Sequence, residues 1–267
     1  MNYVEVMGGL GNQLFQYTFQ KYCEKKTGCD TFLHTEFFRY VKDLDGATNR
    51  DFKLGKYKCE YVGISGNITC SEIIEEETFK GLSPSLDRIF FRGYWQKKEF
   101  FEEVKPIVLQ ELCLKDEYIT KDVSEAAREI QECNSVAVHF RRGDYLNAVN
   151  SSIFCTLTLD YYKEALSHIT NALGEDVKVF IFTDDRDYVS EIADQLGSMD
   201  KKIMPAREDY EDLYLMSLAR HHIIANSTFS WWGSALSKYE NGITVAPKNW
   251  FLDRPAPDIY LDGWVVL

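Results

Sequence analysis

The sequence predicts an α/β fold made of two parallel-sheet domains that close on a cleft. Three observations lead there. In the C-terminal half, strand-like and helix-like segments alternate without interruption, the pattern of a doubly wound parallel sheet. Its strands read as unbroken apolar, β-branched runs, as strands covered on both faces must. The N-terminal half opens in the same way, with an apolar strand, a glycine turn and a helix.

Taken in order, Tyr3–Met7 is the first strand, "GGLGN" the turn, and Gln13–Lys26 a helix crowded with Leu14, Phe15, Tyr17, Phe19 and Tyr22. Cys29–His34 forms the second strand. From Phe37 to Lys80 the periodicity is poor, which predicts loops and short elements. "RIFFRGYW", Arg88–Trp95, restores a strand. The helix Lys121–Gln131, with Val123, Ala126, Ala127 and Ile130 on one face, marks the boundary, giving domains 1–132 and 133–267. Val136–Phe140 is the next strand. A helix follows, capped by Asp160, with Tyr162, Ala165, Leu166 and Ile169 at i, i+3, i+4 and i+7. Val177–Thr183 is a strand, and Val189, Ile192, Ala193 and Leu196 repeat the helical spacing, with Gly197 suited to the C-terminal cap. A strand at Lys202–Met204, a helix through Tyr210–Ala219, a strand at His222–Asn226, a helix entered at "STFSWWGSAL" and a strand at Ile243–Pro247 complete the series.

The chain has 267 residues and a formal net charge of −12, which argues against nonspecific nucleic-acid binding; any anion site must be built locally. Seven cysteines form an odd set with no C-x-x-C pair, so neither a disulfide framework nor a zinc cluster is indicated. The first residues lack the pattern of a signal peptide, and no apolar run approaches the length of a membrane span. These features predict a reduced, cytoplasmic protein, and the sequons at Asn67, Asn150 and Asn226 carry little weight.

Ligands of open parallel sheets sit beyond the carboxyl ends of the strands, and four features fall there. In "GGLGNQ", Gly8, Gly9 and Gly11 permit a tight turn before a helix N-terminus, and Asn12 and Gln13 add polar amides. The third glycine of a dinucleotide fingerprint is replaced by Leu14. In "HFRRGD", alternation sends His139 and Arg141 to one face and Phe140 and Arg142 to the other. Paired arginines cannot shed their charge and match phosphate oxygens two-pronged; Asp144 orients an arginine or acts as a base. In "FTDD", Asp184 and Asp185 are placed to accept hydrogen bonds from a base or ribose, and Asp185-x-Asp187 matches a short metal-binding spacing. In "NSTFS", Asn226, Ser227, Thr228, Phe229 and Ser230 stand where a strand yields to a helix and offer hydroxyls and free N–H groups to phosphate. Each has a structural alternative: a plain turn, an ion-pair cluster, or helix capping. Together they assemble a diphosphate site and suggest a sugar-nucleotide transferase.

The order of "GGLGNQLFQY", "GYWQ" (Gly93–Gln96), "VHFRRGDY", "IFTDD" and "NSTFSWWGSAL" resembles that of the inverting α-1,2-fucosyltransferases, in particular their bacterial members. The resemblance spans Val4 to about Phe251. It implies a GT-B-like fold of two Rossmann-like domains facing an interdomain cleft. It also implies GDP-fucose as co-substrate with no further cofactor, no metal, and a galactose-terminated acceptor held partly by the N-terminal domain. Carried over, His139 lies near guanosine, Arg141 and Arg142 near the diphosphate, and Asp184 or Asp185 on guanine. Ser227 to Ser230 serve the phosphates, with Asn226 beside them in the donor site, and Gly9, Gly11 and Asn12 lie on the turn facing the reaction centre. The expected reaction moves L-fucose to the 2-hydroxyl of terminal galactose with inversion, and Tyr94 and Trp95 offer a stacking surface for that sugar. Some relatives place a glutamate after the arginine motif; "YLNAVNSSIFC" has none, which leaves Asp144 and then His139 as candidate bases. Two alternatives stay open: an NAD-dependent oxidoreductase using the glycine turn, and a non-catalytic glycan- or nucleotide-binding relative. Peripheral association with the inner membrane surface also stays open.

Overall fold

The computed structural model describes residues 1–41, 50–83, 87–143, 145, 150–174 and 176–267. The chain divides into two compact units, Met1–Lys115 with Pro257–Ile259, and Asp116–Ala256 with Tyr260–Leu267. The division therefore falls before the helix over 121–131, not after it. That helix turns Val123, Ala126, Ala127 and Ile130 onto Ala137, Phe180, Met204, Leu215 and Met216, so its apolar stripe completes the second core.

The first unit holds β1 (Asn2–Glu5), α1 (Leu10–Thr27), β2 (Thr31–His34), α2 (Phe37–Tyr40), β3 (Gly63–Ile64), β4 (Glu72–Glu75), β5 (Ile89–Arg92) and α3 (Lys98–Glu111). Its five strands are parallel in the order β3-β2-β1-β5-β4. The described residues of the poorly patterned region after Phe37 form short pieces, as expected. Helix α1 starts three residues earlier than its periodicity suggests and ends at Gly28, whose left-handed φ of 67° lets its N–H reach the Glu24 carbonyl. Its inner face carries buried glutamines as well as aromatics. Each amide meets a backbone group that the strand ends leave unpaired: Gln20 donates to the Thr31 carbonyl, and Gln16 accepts from the Met7 N–H and donates to the Gly93 carbonyl.

The second unit holds α4 (Lys121–Gln131), β6 (Ser135–Phe140), α5 (Leu159–Leu173), β7 (Lys178–Thr183), α6 (Arg186–Ile192), β8 (Asp200–Ile203), α7 (Asp209–Ser217), β9 (His221–Ile223), α8 (Thr228–Ala235), β10 (Thr244–Ala246) and β11 (Val265–Val266). Six parallel strands run in the order β11-β10-β9-β6-β7-β8. Every residue of β6 is buried, which explains its unbroken apolar run. Val136, Val138 and Phe140 face α5 and α6, while Ala137 faces α4 and α7. The N-cap of α5 is Thr158, with Asp160 inside the first turn; Gly197 ends a 3₁₀ turn over Ala193–Leu196 that extends α6.

Candidate active site

In the second sheet the chain runs from β6 outward through β7 and β8, then returns to β9 on the other side of β6 and continues through β10 to β11. The strand order therefore reverses between β6 and β9, and the crevice beyond their carboxyl ends is the place where such sheets take ligands. The residues there are Arg141 and Arg142 after β6, and Asn226 to Phe229 after β9. Asp184 and Asp185, after neighbouring β7, border them.

Alternation along β6 survives to the strand end. Arg142 shares the Phe140 side and lies against Tyr188 of α6, with its guanidinium carbon 3.6 Å from the ring centroid. Arg142 Nε donates to Asp185 Oδ2 at 3.2 Å, and Arg141 Nη1 pairs with Asp184 Oδ2 at 2.7 Å. Asp184 Oδ1 also accepts the backbone N–H groups of Arg142 and Gly143, at 2.9 and 3.1 Å. A Cβ added to Gly143 would stand 2.9 Å from Asp184 Oδ2, so the carboxylate docks flush on the glycine. Both oxygens of Asp185 are used too: Oδ1 caps α6 through the Tyr188 N–H. Both aspartates, which the sequence offered to guanine, are already engaged with the arginine turn. Both hold the arginines, because a fixed positive pair at a strand tip needs anionic partners before any ligand arrives.

His139 sits on the opposite face from Phe140, nearly fully buried, its ring 5.4 Å from that of Phe229. Burial, and then the Arg141 charge, hold its imidazole well below the usual range, partly offset by Asp184. It is a neutral ring whose Nδ1 has no hydrogen-bond partner, suited to hydrogen bonding rather than proton abstraction. The other proposed base, Asp144, lies outside the described residues.

The motif after β9 divides by function. Asn226 Nδ2 donates to the carbonyls of Cys155 and Trp250, and the Asn226 backbone carbonyl accepts from Tyr145 Oη. Ser230 is buried, and its hydroxyl bridges Ala225 N–H and Ser227 carbonyl. The Asn226 amide nitrogen and the Ser230 hydroxyl thus brace the turn, while Asn226 Oδ1 is buried without a hydrogen-bond partner. Ser227 is the N-cap of α8, yet its hydroxyl makes no capping bond, and the first turn holds no acidic residue. The start of α8 thus presents helix N–H groups of the kind that suit an anion.

Asp212 is a further residue that the sequence did not single out. It lies in the first turn of α7, beyond the end of β8, and its Oδ1 is buried without a hydrogen-bond partner. Burial pushes its carboxyl up to about 7, with Arg207 and Arg186 pulling the other way and Glu211 and Asp209 adding to the rise. Asp212 stands three, four and seven residues before Leu215, Met216 and Ala219, all buried. An acid on an apolar helical stripe was the available signal.

In the first sheet the order reverses between β1 and β5. Gly8 alone of the three turn glycines is left-handed, with φ 79°; Gly9 is the extended N-cap of α1 and Gly11 is helical. A Cβ on Gly8 would lie 2.7 Å from Asn12 Nδ2 and 3.4 Å from Tyr94 Cε1. Asn12 accepts from Gln96 Nε2 at 3.1 Å, and Gln13 ties Gly8 to Asp51 and Lys53. Tyr94 is 41% exposed, whereas Trp95 is fully buried and stacks on Phe19 at 3.8 Å with planes 2° apart. Trp95 therefore belongs to the core and not to a ligand platform. Its φ of 58° is unusual for a bulky residue, and the stack compensates that local strain.

The sequence model described as Glycosyl transferase family 11 matches residues 1–267. The chain belongs to glycosyl transferase family 11. Within this breadth of similarity, it is 31% identical over 264 residues to the alpha-1,2-colitosyltransferase of Escherichia coli, across 91% of this chain and 90% of that protein. It is 26% identical over 299 residues to the O-antigen biosynthesis glycosyltransferase WbnK of E. coli, across 97% and 98%. Among solved structures, the fucosyltransferase NodZ from Bradyrhizobium superposes with a TM-score of 0.56 at 14% identity, over 88% of this chain and 92% of that one. The NodZ alpha-1,6-fucosyltransferase soaked with GDP-fucose gives 0.55 at 13%. At such identity the likeness is one of fold, and it makes the two parallel α/β units of this family 11 chain GT-B-like. The dehydrogenase alternative loses its support, since a glycosyltransferase family accounts for the whole chain. No helix among the described residues is long and apolar enough to cross a membrane.

Proposed function

We propose that this family 11 enzyme transfers a 6-deoxy-L-galactose-type sugar, L-fucose in the first instance, from its GDP donor to the 2-hydroxyl of a terminal galactose, with inversion. The observation that carries the reading is the paired arginine cassette, held by Asp184 and Asp185 at the β6–β9 crossover beside the uncapped start of α8. Guanidinium groups and helix N–H groups set in place before the reaction stabilise the charge that grows on the departing diphosphate. The anomeric carbon becomes oxocarbenium-like as that bond breaks, so leaving-group assistance leads and a weak base suffices. Asp144 is the proposed base, and His139 a neutral hydrogen-bonding neighbour of the nucleoside. With Asp184 and Asp185 holding the arginines, Asp212 is the proposed acceptor for the guanine N–H groups, through the oxygen left unpartnered. Asp185, with one oxygen on a helix cap and the other on Arg142, suits a metal-independent reaction. Asn12, Gln96 and exposed Tyr94 form the proposed acceptor side in the first unit.

The colitosyltransferase relative favours a second donor. Colitose is L-fucose without the 3-hydroxyl, so the two GDP-sugars share every group named above except one hydroxyl. Incubation with GDP-fucose and with GDP-colitose, each with lactose, and linkage analysis of the product test both readings. Galactoside-dependent GDP release and an α-1,2 product are expected. GDP binding without turnover of either donor would make the protein a non-catalytic relative, and thermal stabilisation by NAD but not by GDP would remove the donor site altogether.

A further inference from the structure

The two arginines are held differently. Arg141 has its guanidinium 5.4 Å from the Tyr145 ring and paired with Asp184. Arg142 lies 3.6 Å above the centroid of Tyr188, a distance at which a planar cation rests on the π face. One residue pair governs both restraints on it. Asp185 Oδ1 accepts the Tyr188 backbone N–H at 3.1 Å, and Oδ2 accepts Arg142 Nε at 3.2 Å. The carboxylate thus fixes the ring's place in α6 and the azimuth of the guanidinium over it. The Arg142 backbone N–H is pinned as well, by Asp184. No described residue accepts a hydrogen bond from the two terminal nitrogens of Arg142.

We infer that Tyr188 is a positioning residue for the donor diphosphate: its ring face, with Asp185, sets the plane of Arg142 and keeps the two-pronged terminal edge available to phosphate oxygens. The inference rests on the proposed GDP-sugar reading. Its physical content is entropic and geometric. An arginine side chain has many rotamers, and freezing it on binding weakens affinity unless the freezing is already done. A guanidinium recognises two oxygens only when its plane is right, so a support that sets the plane acts on ground-state binding and on the departing diphosphate alike. A purely space-filling tyrosine at the edge of the core would give neither effect.

The test is calorimetric GDP binding, with donor and acceptor kinetics, for Tyr188→Phe and Tyr188→Leu in the wild-type and Arg142→Met backgrounds. Tyr188→Phe keeps the face and should bind GDP within about twofold of wild type. Tyr188→Leu should weaken GDP about three- to thirtyfold, raise donor KM, lower kcat and leave the lactose KM unchanged. In the Arg142→Met background the leucine substitution should have almost no further effect, since the two residues act as one unit. Should the leucine variant fold poorly, phenylalanine analogues carrying one, two and three ring fluorines at 188 decide the matter. Shape is nearly kept while the π face is drained, and affinity should fall with each fluorine. Equal GDP affinity across the series, or a leucine effect that persists undiminished without Arg142, overturns the inference. Wild-type protein that does not bind GDP overturns the donor reading itself, and wild-type binding with an insensitive position 188 overturns only the role of Tyr188.

Discussion

Replacing Asp212 with asparagine should change the pH dependence of both folding and donor binding, in opposite senses. Burial lifts this carboxyl from 3.8 to about 7. The folded state therefore holds the proton more tightly than the unfolded chain, by roughly a thousandfold or about 4 kcal/mol. The stabilisation is fully present below pH 3.8 and is lost as pH rises through about 7. Between pH 5 and pH 8 the loss is about 3 kcal/mol, which solvent at the rim of this partly exposed residue trims to about 2 kcal/mol. Urea denaturation of wild type and Asp212→Asn at the two pH values measures it. The stability difference between the proteins should move by that amount in favour of the variant as pH rises. Donor binding runs the other way, because guanine N–H groups need the ionised carboxylate. GDP-fucose, whose pyrophosphate is a diester that does not titrate near neutrality, should bind about tenfold tighter at pH 8 than at pH 6. The variant should bind weakly with no such trend. A wild-type stability profile parallel to that of the variant, and donor affinity flat in pH, would sink the assignment.

Other outcomes follow from the same geometry. Arg142→Lys should lose about 10²–10³ in kcat, because an ammonium cannot make the two-pronged contact. Asp187→Ala should lose little, and equal losses in steady-state assays would show that the site is misplaced. Asn226→Ala takes the donor from the Cys155 carbonyl and leaves the Trp250 carbonyl only the Cys155 N–H, and should destabilise the second unit by about 1–3 kcal/mol in urea. Unchanged stability with lost GDP binding would return that side chain to the ligand. Tyr94→Ala should raise the lactose KM about tenfold with GDP affinity intact, and Tyr94→Phe should preserve both. A drop in GDP affinity instead would contradict the assignment of Tyr94 to the acceptor.

Much of this architecture was readable from sequence because buried parallel strands carry their own signature: β6 and β7 are unbroken apolar runs, and the helices between them repeat their stripes at helical spacing. The motifs of the second unit fall together beyond the carboxyl ends of β6, β7 and β9. What they could not distinguish was which polar side chains brace the turn and which face outward, because both uses select the same residue types at the same positions. The Asn226 amide nitrogen and the Ser230 hydroxyl brace the turn, and the carboxylates of Asp184 and Asp185 hold the arginines. The reverse error hid Asp212, which sits in the acidic first turn of α7 like a solvated helix start until tertiary packing buries it. Trp95 misled for a third reason. A strand-end aromatic is exposed only if the chain continues outward, and here a left-handed residue turns the indole back onto Phe19.

The flush contact between Gly143 and Asp184 ties the choice of amino acid at one position to the choice at another, 41 residues away. The glycine of "RRGD" is not among those with a left-handed backbone, so its smallness alone is what matters. It is a notch cut to the size of a carboxylate head. A methyl group placed there would push the acid outward and cast Arg141 loose, unless position 184 shrank or withdrew in step. These two sites should drift through evolution as a single character.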